Sequence, residues 1–120
     1  MCAAPAHSSS VILIVESASV RNLIGAVLEK ERYNVLLADV EQARQMLAAG
    51  GVDLLISNEP WRFEPFPAGM RVLYVSGAPD REFLQRHPAE RVAFLQKPFR
   101  FQNLLLSVGL LLHHKSEAGA

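Results

Sequence analysis

Short apolar runs rich in aliphatic and β-branched residues alternate with helical patterns along this chain, and this alternation constrains the fold most. Three runs predict buried strands, because continuous apolar runs suit strands that are covered on both faces of a sheet. They are Val11–Val15, Asp53–Ser57 and Arg71–Val75. Weaker patterns predict two more strands, at Asn34–Ala38 and Val92–Leu95. Strands that alternate with helices in this way indicate an α/β fold with a doubly wound parallel sheet.

Helical periodicity fills the gaps between the predicted strands. The first helix is predicted from apolar residues that recur on one helix face: Val20, Leu23, Ile24, Val27 and Leu28. A second, shorter helix is predicted from about residue 40 and ends at Gly50-Gly51. A third is predicted to begin at Pro79 and to end at Pro88, and a fourth to run from about Phe101 to His114.

The connection between the third and fourth strands does not follow this rhythm. It reads NEPWRFEPFPAGM, with prolines at positions 60, 65 and 67. A regular helix cannot run through that spacing, because each proline removes a backbone donor and crowds the preceding turn. We therefore predict that this crossover is a loop with room for one short turn.

Charge and cysteine content narrow the classes of function. Lys+Arg and Asp+Glu both number 12, so the net charge of zero gives no reason to expect nucleic acid or an anionic membrane as a partner. The single cysteine and four histidines show no metal-ligand spacing, and we expect no metal and no cofactor. No signal-peptide pattern is visible, so a cytoplasmic location is expected. One domain is predicted over residues 10–114, between flexible tails at 1–9 and 115–120.

Four motifs, in order along the chain, resemble those of response regulator receiver domains, the CheY-like superfamily. They are IVES after the first strand, DLLISN at the third, VLYVSG at the fourth and FLQKPF after the fifth. The most specific is Lys97-Pro98-Phe99, and the resemblance covers about residues 10 to 112. It implies a flavodoxin-like sheet of five parallel strands and a signalling module of the two-component (phosphorelay) type.

The resemblance also assigns a pocket. In the family, two acids hold Mg²⁺, an aspartate accepts phosphate, and a Ser or Thr and a lysine contact the phosphoryl group. These positions fall on Glu16, Asn58, Ser76 and Lys97, and the switch aromatic falls on Phe94. An amide cannot form an acyl phosphate, and one carboxylate is a weak metal site. We therefore predict a degenerate, metal-free pocket in which Lys97 lies near Glu16 and Asn58.

Two alternatives stay open for this pocket. In the first alternative, a non-standard residue such as Ser57 or Ser76, or a shifted acid, accepts phosphate in place of the missing aspartate. In the second alternative, Lys97 forms an anion site together with Ser76 and does not pair with Glu16. A small enzyme is the least supported class, because no oxyanion hole or substrate pocket is indicated. We predict no catalytic residues.

The shortened crossover is a second departure from the family. Only 18 positions separate Asn58 from Ser76, so the third helix of the family fold is predicted to be missing or reduced, which leaves four long helices. Trp61, Phe63 and Phe66 are predicted to cover the sheet face that this helix would otherwise cover. The alternative is that Trp61 and Phe63 form an exposed patch for a partner.

The last helix carries apolar residues on two sides. One broad face is expected to pack on the sheet: Phe101, Leu104, Leu105, Val108, Leu111 and Leu112. Leu106 and Leu110 point the opposite way and indicate an interface, although isolated exposed leucines are also common. The family resemblance implies homodimerisation through this region. We therefore expect a protein partner: a kinase, another regulator or a second copy of the chain.

Overall fold

One parallel sheet forms the centre of the molecule. This computed structural model describes residues 10–119, with side chains described up to residue 112. The strands are β1 (Val11–Val15), β2 (Asn34–Leu37), β3 (Leu54–Ser57), β4 (Arg71–Ser76) and β5 (Val92–Gln96). They pair in the order β2-β1-β3-β4-β5. The predicted doubly wound, flavodoxin-like sheet is confirmed, and every strand bound lies within one residue of its prediction.

Helices flank the sheet on both faces. They are α1 (Ala18–Lys30), α2 (Val40–Ala49), α3 (Arg81–Gln85) and α4 (Phe101–Gly119). The α2 helix begins with a capping box, in which Asp39 accepts from the Gln42 N–H at 2.8 Å and the Gln42 side chain accepts from the Asp39 N–H at 3.1 Å. It ends at Gly50, whose φ of 88° suits glycine. These boundaries follow the local sequence signals closely.

The prediction for α3 was wrong in two respects. The helix begins at Arg81, because Asp80 is its N-cap and accepts a hydrogen bond from the Phe83 N–H at 3.1 Å. Pro79 therefore precedes the helix, which has only five residues and ends before Pro88. Four α-helices are present in the described part of the chain, as predicted, but α3 is not a long one.

The last helix is longer than predicted. The backbone of α4 continues to Gly119, beyond the helix end predicted near residue 114. The predicted tail at 1–9 lies outside the described residues, as does residue 120. The division of the chain into a domain and a tail at residue 114 therefore stays a prediction.

The α1 helix is rotated relative to its predicted orientation. Leu23 is exposed, whereas Ile24, Gly25 and Leu28 are buried. A Cβ atom at Gly25 would lie only 3.0 Å from Leu37 Cδ2, so the absence of a side chain lets α1 approach β2 closely there. This contact turns the buried face toward Gly25 and away from Leu23. Phe101, the first residue of α4, is also exposed and not packed on the sheet as predicted.

The crossover covers the sheet as predicted. It contains a single 3₁₀ turn, Pro60–Phe63, in place of a regular helix. Phe63 is buried, and Trp61 and Phe66 pack partly buried against the same core cluster. The rings of Trp61 and Phe66 lie 5.8 Å and 6.2 Å from that of Phe83 on α3. The alternative of an exposed aromatic patch is therefore not supported.

Candidate functional site

The four pocket positions lie at the carboxyl ends of the strands. Glu16 directly follows β1, Asn58 follows β3, Ser76 ends β4 and Lys97 follows β5. The ladder pairs Val15 with Ser57 and Ser76 with Gln96, so these ends are neighbours in the sheet. In open α/β sheets, this edge is where ligands bind.

Glu16 and Lys97 form an ion pair. The Nζ atom of Lys97 lies 2.9 Å from Oε2 of Glu16, whose side chain is fully buried while that of Lys97 is 30% exposed. The other carboxylate oxygen, Oε1, accepts a hydrogen bond from the Ser17 N–H at 3.0 Å. Among the described residues, the Lys97 ammonium is the one charged group recorded beside the buried Oε2. The predicted proximity of Lys97 to Glu16 is confirmed.

The hydroxyl groups near the pocket are engaged locally. Ser76 Oγ donates to the Ala78 carbonyl and accepts from the Ala78 N–H, both at 3.1 Å. Ser57 is buried, and its Oγ accepts from the Glu59 N–H at 3.0 Å. Lys97 meets Ser76 through the backbone, where its N–H donates to the Ser76 carbonyl at 2.9 Å.

Asn58 is half-buried beside the buried end of β3. Among the described residues its side chain makes no hydrogen bond, to Lys97 or to any other residue. The predicted approach of Lys97 to Asn58 therefore stays a prediction.

Phe94, the predicted switch position, belongs to an aromatic cluster. Its ring lies 5.2 Å from that of Tyr74 and is half-buried. Tyr74 is itself buried, and its hydroxyl accepts a hydrogen bond from the Asp80 N–H at 2.9 Å. Phe94 is thus joined through Tyr74 to the segment that begins α3.

The residues at this edge do not fit a magnesium ion. Mg²⁺ prefers several hard oxygen ligands, usually including one or two carboxylates. The carboxylate oxygens of Glu16 already face the Ser17 N–H and the Lys97 ammonium. Throughout residues 10–112, no group of three or more His, Cys, Asp or Glu side chains is arranged to hold a metal ion.

This chain is similar to known proteins in its fold, although no family model matches its sequence. No protein-family model and no curated protein matches this chain. Solved structures do match. The receiver domain of the hybrid histidine kinase CckA is 26% identical, with a TM-score of 0.64 over 85% of this chain and 99% of that chain. A signal receiver domain of an HD domain-containing protein from Pseudomonas fluorescens is 23% identical, with a TM-score of 0.72 over 98% and 97%. A response regulator receiver protein from Sinorhizobium medicae is 19% identical, with a TM-score of 0.74 over 89% and 97%.

This chain has the receiver fold. The match extends over nearly all of each of these receiver domains, so the shortened crossover is accommodated within an otherwise complete fold. Within the described residues, no helix is long and apolar enough to cross a membrane.

A polar cluster that the sequence analysis did not predict joins the crossover to the residues that follow α3. Arg86 Nη2 and His87 Nε2 lie 2.7 Å and 2.6 Å from the two carboxylate oxygens of Glu64. Burial raises the pKa of Glu64, but hydrogen bonds and charges from Arg86 and His87 outweigh it and leave the pKa below its ordinary value. Arg91 adds a hydrogen bond of 2.7 Å to the Pro67 carbonyl. These partners lie more than 20 positions apart, so no local pattern marks them.

Proposed function

We propose that this chain is a pseudo-receiver, a two-component signalling module that is not phosphorylated and acts through protein–protein contacts. The observation that carries the proposal is the ion pair between Glu16 and Lys97. In phosphoryl transfer, cationic groups must neutralise the charge of the transferring oxygens. Here the lysine is already neutralised by a buried carboxylate, and Asn58 offers an amide where a carboxylate nucleophile is needed. Phosphorylation would therefore lack both a nucleophile and a free cation.

The proposed partners are proteins. The CckA neighbour is a receiver domain from a hybrid histidine kinase, and for this chain we propose a kinase, another regulator or a second copy as the binding partner. We further propose that the protein is not an enzyme, needs no cofactor and binds neither nucleic acid nor a membrane. Its proposed location is the cytoplasm. A groove of about 400 Å³ beside Lys97, lined by Leu23, Phe99 and Phe101 among others, is an apolar surface that suits contact with a kinase or another regulator.

Incubation with acetyl phosphate should leave the protein unmodified. We expect the intact mass to be unchanged with or without Mg²⁺, because Asn58 cannot form an acyl phosphate and Lys97 is paired. A conventional receiver domain that has its aspartate is the positive control. A Mg²⁺-dependent gain of one phosphoryl group would overturn the proposal and favour a non-standard acceptor. Ser57→Ala and Ser76→Ala variants would then show which hydroxyl carries it.

The exposed side of α4 is the proposed contact for a second copy. Leu106 and Leu110 are 61% and 62% exposed and lie one turn apart. Beside Leu110 is a groove of about 340 Å³, lined in part by Ala93 and Ser107. No charged residue occurs between positions 101 and 112. An uncharged helix surface with paired leucines favours association over solvation.

Changing Leu106→Glu and Leu110→Glu together should shift the protein to a smaller species in size-exclusion chromatography with light scattering. Two carboxylates on each copy would repel their counterparts and remove the apolar contact. Phe101→Glu is the matched control, because Phe101 is also exposed on α4 and its spacing from Leu106 and Leu110 puts it on the opposite side of the helix. A wild type that is already monomeric and unaffected by the double change would contradict the proposed contact.

A further inference from the structure

The edge strand β2 exposes apolar side chains to an unusual degree. It lies at one end of the sheet order and pairs only with β1. Leu36 and Leu37 are 40% and 44% exposed, whereas β5, at the other edge, has no large exposed apolar side chain. Edge strands are commonly protected from pairing by charged residues, proline or bulges. The sequence Asn-Val-Leu-Leu of β2 contains no charge and no proline.

The backbone of β2 offers hydrogen-bonding groups to a further strand. The Ala38 N–H donates to the Ile14 carbonyl at 3.2 Å, and Leu37 is the register partner of Ile14. Because the direction of N–H and C=O groups alternates along a strand, Leu36 is directed toward β1. Val35 and Leu37 therefore direct their N–H and C=O groups away from the sheet, toward the open edge.

We infer that β2 pairs antiparallel with β2 of a second copy, so that two five-stranded sheets join into one. A two-fold axis through Leu36 places Val35 opposite Leu37 of the other copy as a hydrogen-bonded pair. Leu36 then faces its own counterpart as a non-hydrogen-bonded pair. Shifting the register by two residues in either direction would place Leu36 opposite Asn34 or Ala38, with less apolar contact. The register centred on Leu36 is thus the one in which each exposed leucine faces a large aliphatic side chain, Leu36 opposite Leu36 and Leu37 opposite Val35.

Charge at the ends of β2 favours a second copy in this orientation. Arg32 precedes the strand and Asp39 follows it, and both are exposed. Glu31, at the same end as Arg32, already has a partner within the chain. Antiparallel pairing brings Arg32 near Asp39 of the other copy at both ends, whereas a parallel alignment would bring like charges together. This contact is independent of the one proposed for α4, since it uses a different surface.

Disulfide trapping tests both the contact and its register. In a Cys2→Ser background, which removes the single native cysteine, Leu36→Cys should shift under mild oxidation to a disulfide-linked dimer. Paired Cα atoms of a non-hydrogen-bonded pair lie about 4.5 Å apart, within disulfide range. Leu37→Cys is the matched control, because in this register its counterpart is roughly 8–9 Å away, beyond reach. Equal linkage by both variants, or by neither, would overturn the inference.

A second measurement avoids new covalent bonds. In the Leu106→Glu/Leu110→Glu background, the protein should still sediment as a dimer, and adding Leu36→Lys should convert it to a monomer with unchanged circular dichroism. Two ammonium groups facing each other on the axis would repel. A background protein that sediments as a monomer, or one whose dimer persists with Leu36→Lys, would overturn the β2 contact. Failure of the α4 contact alone leaves these expectations intact.

Discussion

Replacing Lys97 with methionine should lower the free energy of unfolding by roughly 2–4 kcal/mol at neutral pH. Methionine retains the apolar stem of the side chain but removes the charge 2.9 Å from Glu16. The Glu16 carboxylate would then remain fully buried without a cation. The loss should be smaller than for a completely buried pair, because water reaches part of Lys97. Urea unfolding followed by circular dichroism measures it, provided that the denaturant slope is unchanged.

A double-mutant cycle separates the charge pair from general packing. Glu16→Gln alone should cost less than Lys97→Met, because Lys97 can turn to water and the amide oxygen can still accept from Ser17. The double variant should recover more than half of the Lys97→Met loss, since no uncompensated charge remains. Lys30→Met, on the surface of α1, should change stability by no more than about 0.5 kcal/mol. Additive losses in the cycle would show that Glu16 and Lys97 are not coupled.

Replacing Phe83 with alanine should lower the free energy of unfolding by roughly 3–5 kcal/mol. Phe83 is fully buried, and its ring lies 5.5 Å from that of Tyr74 and 5.8 Å from that of Trp61. The change would leave a cavity where the crossover meets α3. Trp61 is the single tryptophan of the chain, so its fluorescence emission should shift to longer wavelength as the crossover loosens.

Phe101→Ala is the control for this change, because it removes the same atoms from an exposed position. It should alter stability by no more than about 0.5 kcal/mol and leave the Trp61 emission unchanged. If Phe83→Ala cost no more than Phe101→Ala, the aromatic layer would not be what holds the crossover on the sheet. The fold would then depend on the polar cluster around Glu64 instead.

Strand positions were predictable because buried parallel strands leave a local mark. A run such as Val11–Val15 must be apolar on both faces, and that requirement is visible without knowledge of any partner. The absence of a regular crossover helix was equally local, since the proline spacing alone excludes it. The start of α3 was missed because Pro79 and Asp80 both suit a helix N-terminus. The side-chain hydrogen bond of Asp80 decided between them.

Which face of a helix is buried depends on its neighbours. The periodicity of α1 placed Leu23 with Ile24 and Leu28, but the close approach of Gly25 to Leu37 turned Leu23 toward solvent. The cluster of Glu64, Arg86 and His87 was invisible for a similar reason, because its members meet only when the crossover folds over α3. The apolar periodicity of a helix depends on that helix alone. It does not tell how far the helix is rotated about its own axis relative to the element it packs on.

The sequence by itself determined which functional group stands at the carboxyl end of each of four strands. These groups are an acid after β1, an amide after β3, a serine at the end of β4 and a lysine after β5. It also determined that position 58 has an amide and not a carboxylate, because the type of side chain is set by the covalent structure and does not depend on folding. Only the tertiary structure decided that the Ser76 hydroxyl turns onto Ala78, and that Leu36, Leu37, Leu106 and Leu110 remain exposed. Those outcomes depend on distances and burial between elements, which the folded packing alone determines.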